Sequence, residues 1–215
     1  MERTMPGLLR RELSVIKYQI AQNQREILVI CSSVLFLALA RYHSFSESWT
    51  DAAVFYAALP LVVILLLMRR NPLNFGLRLG DWRLWGVYVA VTCLIACPLL
   101  FAFSKVDSLN TYYSLSSFDI GSYLPRIIVY LTAWEFLLRG YLLFGLKDRF
   151  KEASILIQIV PFVLLHLGKP ELETLSTIPM GIYLGYVAYR GNSFLPAVII
   201  HIFINVIFRI FTNML

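Results

Sequence analysis

An all-α, polytopic bundle of about seven transmembrane helices is the fold this sequence predicts, and three observations predict it. Of 215 residues, 59% are hydrophobic and 15% charged, against roughly 25% charged in a soluble domain. Apolar runs approaching the roughly 20 residues needed to cross a hydrocarbon core recur along the chain. Almost no polar stretch is long enough to fold by itself, so one transmembrane domain is expected over residues 27–215, preceded by a polar segment, residues 1–26.

In residues 1–26, Leu8, Leu9, Leu13, Ile16 and Ile20 recur at helical spacing among basic residues. That is the pattern of an amphipathic helix on a membrane surface, or of a solvated helical tail. The apolar run that follows has no small-residue cleavage pattern at its end, so it reads as a retained first span. The runs are approximately Ile27–Tyr42, Ala52–Met68, Leu84–Phe103, Tyr123–Leu146, Ala153–Leu167, Thr174–Tyr189 and Phe194–Thr212. The fifth and sixth are short for full spans, and a tilted or partly buried hairpin would accommodate them. In the sixth, Gly181 and Gly185 form a small-xxx-small pair that lets a neighbouring helix approach closely.

Basic residues alternate between the connections. Arg3, Arg10, Arg11, Lys17 and Arg25 precede the first span; Arg69, Arg70, Arg78 and Arg83 follow the second; Lys147, Arg149 and Lys151 follow the fourth. The intervening connections carry only Arg41, Lys105 and Lys169, and Arg190 alone follows the sixth run, so the first connections decide the orientation. This predicts a multi-pass protein of the cell membrane with a cytoplasmic N-terminus and an external C-terminus. It assigns the net charge of +6 to topology, with no nucleic-acid partner. On this orientation His166 falls nearer the external face than Glu135. Cys31, Cys93 and Cys97 all lie in apolar runs, as packing residues do, and predict neither a disulfide framework nor a zinc–thiolate site.

Ionisable groups inside apolar helices cost roughly 2.5–3.5 kcal/mol each on insertion scales, so they ask for a function. Glu135 and Arg139 are four apart and share a helix face, which suits an ion pair. His201 and Asn205 have the same spacing and could together stabilise an oxyanion, or bond across to a neighbouring helix. His166 precedes the polar run 168–173, which includes Glu173; its imidazole could help a carboxylate hold and deprotonate water. An acid, an Arg, two His and an Asn on three C-terminal helices form a far more specific signal than any one of them.

This conjunction resembles the CAAX-protease and bacteriocin-processing family of intramembrane glutamic proteases, over about Tyr123 to Ile207. Family members carry Glu-Glu-x-x-x-Arg, then Phe-x-x-x-His, then His-x-x-x-Asn on successive core helices. Phe162 to His166 matches the second motif and His201 to Asn205 the third; Tyr189 to Pro196 also looks like bacterial members. The first motif departs: aligned on Arg139, Glu135 takes the second glutamate and Trp134 stands where the first belongs. In the family the first glutamate is thought to activate water together with the motif histidine. Glu135 points about 100° away around the helix axis, so either the helix is rotated, another acid such as Glu173 serves, or hydrolysis is lost.

The resemblance implies a catalytic-type core in the four C-terminal helices and an intramembrane endopeptidase. Its substrate would be a membrane protein or lipid-modified peptide. Glu135 and His166 would activate water, His201 and Asn205 would stabilise the oxyanion, and Arg139 would orient the carboxylate. No cofactor and no covalent intermediate is implied, since no Ser or Cys is clearly placed beside a base. A zinc version could use Glu135, His166 and His201 as ligands, but the His-Glu-x-x-His signature is absent. The alternative is a non-catalytic membrane scaffold or binding protein of the same fold, with Trp134 filling the water site. A transporter would need paired broken helices in two halves, and none is evident.

Overall fold

The computed structural model describes residues 5–45 and 47–214, and every regular element among them is helical. Arg3, counted above for orientation, lies outside the described residues. Nine helices are labelled here: α1 Met5–Gln22, α2 Gln24–Tyr42, α3 Ser48–Leu67, α4 Trp82–Phe103, α5 Asp107–Tyr113, α6 Ile120–Phe150, α7 Ala153–Leu164, α8 Glu171–Gly191 and α9 Leu195–Asn213. Each of the seven apolar runs falls on one of α2, α3, α4, α6, α7, α8 and α9. Among the described residues four helices, α3, α4, α6 and α9, are long and apolar enough to cross a membrane.

Helix starts follow local chemistry. Asp81 caps α4 by accepting from Leu84 N at 3.1 Å, and Asp119 caps α6 by accepting from Gly121 N at 3.2 Å and Ser122 N at 2.9 Å. Each carboxylate satisfies N–H groups that no preceding turn can bond.

Helix α6 is the hub. Residues 133–146 are buried without a break because α2, α3, α7, α8 and α9 pack around it. Helix α4 is its opposite, with no buried residue along its length. Its exposed Val87, Leu94 and Ile95 form a lipid-type surface. Between Phe136 and Phe144, α6 widens to i→i+5 bonding, a departure that often accompanies functional sites. Gly140 sits in this stretch, where a Cβ would lie 3.1 Å from the Phe75 carbonyl oxygen. Glycine therefore lets the short Pro72–Phe75 turn press against the hub.

The expected close approach to α8 is present. A Cβ on Gly181 would come within 2.9 Å of Phe162 Cδ1, and one on Gly185 within 2.7 Å of Gln158 Nε2. Gln158 Nε2 donates to the Gly181 carbonyl at 2.9 Å. Helix α7 has only 12 residues, a rise of about 18 Å. It stops short of a full crossing, and the turn carrying His166 ends among the side chains of α6 and α9.

Candidate active site

Three elements supply the site: α6 gives Trp134, Glu135 and Arg139; the end of α7 gives Phe162 and His166; α9 gives His201 and Asn205. Glu135 and Arg139 are fully buried. Glu135 Oε1 accepts from Arg139 Nη1 at 2.9 Å and from His201 Nδ1 at 2.7 Å. Among the described residues Glu135 Oε2 and Arg139 Nε and Nη2 are buried without a partner. The guanidinium lies 4.2 Å from the centre of the Phe162 ring, a desolvated cation–π contact. The same ring stands 4.8 Å from the His166 ring and 6.0 Å from the His201 ring, centre to centre. The phenylalanine of the second motif thus touches a residue from each of the three motifs.

The imidazole tautomers follow from their partners. His166 Nδ1 lies 2.7 Å from the Phe162 carbonyl oxygen. A carbonyl only accepts, so Nδ1 carries the proton and the neutral ring leaves Nε2 as an acceptor. His201 Nδ1 likewise donates to Glu135, which leaves its Nε2 unprotonated in the neutral ring. Asn205 Nδ2 donates to the His201 carbonyl at 3.1 Å, with its second N–H uncommitted.

His166, His201 and Asn205 line one cavity of about 140 Å³, together with Tyr113, Lys169 and Glu173 and apolar residues that include Leu100 and Phe208. Glu135 does not line it. The carboxylate expected to hold water is instead closed off behind His201, clamped between that imidazole and Arg139. Trp134 packs edge-on against the His166 ring, 5.8 Å centre to centre, and against Tyr130 at 5.4 Å. Its Nε1 is buried with no hydrogen-bond partner among the described residues.

Glu173 accepts from the Tyr113 hydroxyl at 2.6 Å and from Lys169 Nζ at 2.8 Å, so it is the carboxylate of the cavity. No sequence signal marks Tyr113, because α5 lies outside the motifs and no spacing points to it. Burial, reinforced by the neighbouring Glu173 carboxylate, pushes the Tyr113 phenol well above its ordinary pKa and keeps it a donor. Among the described residues no three His, Cys, Asp or Glu side chains converge to hold a metal ion, so the set Glu135, His166 and His201 is not assembled as ligands.

No curated protein and no solved structure matches the chain. Over residues 116–207, the stretch that carries all three motifs, the chain matches the family model described as Type II CAAX prenyl endopeptidase Rce1-like, in agreement with the family its motifs resemble.

Proposed function

We propose that the protein is an intramembrane peptidase that hydrolyses a peptide bond of a membrane protein or lipid-modified peptide in the cavity of His166, His201 and Asn205. One observation carries the reading: both imidazoles commit Nδ1–H to a fixed oxygen, which leaves two Nε2 acceptors for water at one cavity. Water held by these nitrogens attacks the peptide carbonyl. His201 takes its proton, and the Glu135 carboxylate stabilises the imidazolium that forms, as the acid of a Ser-His-Asp triad does for its histidine. The proton then passes to the leaving amine. The free N–H of Asn205 donates to the oxyanion. In this scheme Glu135 is a positioning residue, Arg139 holds Glu135, and Glu173 with Lys169 and Tyr113 forms the polar wall. The basic end of the bundle faces the cytoplasm, and α1 lies on that surface of the cell membrane, its exposed Leu9, Leu13 and Ile16 toward lipid.

Trp134 favours a second reading, a binding scaffold, because its indole rests on His166 where the family has a carboxylate. The experiment compares membrane-protein N-termini in cells expressing wild type, Glu135→Gln, His166→Ala and Trp134→Glu at equal levels. Termini present in wild type and missing from both Glu135→Gln and His166→Ala support the peptidase and name its substrate. Termini that change only with Trp134→Glu sink it in favour of the scaffold.

A further inference from the structure

A second polar cavity, of about 310 Å³, opens at the other end of the bundle from the His166 cavity. Arg25, Arg70, Arg78 and Lys147 line it with a single carboxylate, Asp148, a net of three positive charges from four cations less one acid. Asn74 and Asn192 add amides, and Phe75 and Phe144 form an apolar wall. We propose that this cavity binds the phosphate of an anionic phospholipid headgroup.

Donor chemistry favours a phosphate. Arg25 pairs with Asp148, yet its Nε is buried without a partner. Among the described residues Arg78 donates only through Nε, to the Asn192 carbonyl at 3.0 Å, with both terminal nitrogens uncommitted. Among the described residues the Arg70 side chain has no ion pair. Guanidinium forks match phosphate oxygens in pairs, and cations crowded in a half-sheltered cavity repel one another until an anion joins them.

The site is also prebuilt. The loop bearing Arg78 is pinned to the α8–α9 corner, because Asp81 N donates to the Gly191 carbonyl at 2.8 Å and Ser193 Oγ to the Arg78 carbonyl at 2.5 Å. A Cβ on Gly80, whose φ is +63°, would strike the Gly191 oxygen at 2.1 Å, so that close approach requires glycine.

Position selects a lipid as the source of the phosphate. Arg25 opens α2, Arg70 follows the end of α3, Lys147 and Asp148 lie in the last turn of α6, and Asn192 ends α8. The lining is built from helix ends, at the level where headgroup phosphates lie beside a spanning bundle. These are also the basic connections that set orientation, and a cytoplasmic leaflet rich in anionic lipid attracts such residues.

The test titrates the purified full chain, in a neutral detergent, with short-chain phosphatidylglycerol, phosphatidylcholine or inorganic phosphate, reading binding by thermal shift. Saturable binding of phosphatidylglycerol over phosphatidylcholine is expected, weakened about tenfold by Arg70→Gln and competed by inorganic phosphate. Arg70 is exposed, so that variant keeps the fold; Lys147→Gln should weaken binding in the same direction. Equal binding of phosphatidylcholine, or phosphatidylglycerol binding unchanged in both variants, overturns the site. Inorganic phosphate binding as tightly as the lipid overturns the lipid as its source.

Discussion

Glu135 and Arg139 form an ion pair fully buried from solvent, and Glu135's second partner, His201, comes from another helix. Replacing one member leaves the other charge buried and uncompensated, which costs more than the pair contributes. Arg139→Leu should therefore lose about 3–5 kcal/mol, read as a lower unfolding temperature in detergent. The double variant Glu135→Leu with Arg139→Leu should lose less than Arg139→Leu alone; an equal loss would show that the charge is not the cause. For hydrolysis, His201→Gln removes the proposed base and should slow peptide cleavage roughly 10²–10⁴-fold in a purified assay. Glu135→Gln should lower kcat with little change in KM, since the carboxylate acts only through His201. At this scale the motif spacings already named His166, His201, Asn205 and Arg139. They could not place Glu135 behind His201 or Glu173 beside Tyr113, because those contacts join residues 66 and 60 positions apart.

At the scale of elements, α7 and α8 form one packed unit whose separation is set by two glycines. Gly181→Val would drive its side chain into the Phe162 ring, and overpacking of this kind costs about 1–3 kcal/mol. Because Phe162 supports His166, His201 and Arg139, cleavage should fall with stability. Gly86→Val on α4 is the control: a Cβ there meets nothing within 4 Å. Unfolding temperature and cleavage should stay near wild type, and a loss equal to that of Gly181→Val would refute the packing argument. Hydropathy located these helices and flagged both α7 and α8 as short; α7 has 12 residues, but α8 runs for 21, because its first and last turns are polar and lie outside the apolar run. Hydropathy could not distinguish α4, which buries no residue, from the enclosed middle of α6. Lipid tails and protein neighbours are equally apolar, so the two helices look alike in sequence. The i→i+5 stretch of α6 was also hidden, because a reading at 3.6 residues per turn assumes the regular helix.

For the whole molecule, the two ends differ in chemistry, one gathering Arg25, Arg70, Arg78 and Lys147, the other the cavity of His166 and His201. Retention of basic connections on the cytoplasmic side predicts how the bundle sits. In a background with the three native cysteines replaced, Ser116→Cys should react with a membrane-impermeant maleimide in intact cells, and Asn71→Cys only after lysis. The reverse labelling would invert the orientation and carry the His166 cavity to the cytoplasmic side.

The four-residue spacing of Glu135 and Arg139 also bears on how the chain is made. Helix α6 leaves the ribosome before α7, α8 and α9, so its most polar turn must enter the bilayer before His201, 66 residues later, exists to receive it. Two separated charges would each resist insertion by roughly 2.5–3.5 kcal/mol. An acid and a base one turn apart neutralise each other within the lone helix, so the dyad can travel through the insertion machinery as an internal salt. On this argument the later helices would close around a charge pair assembled during synthesis.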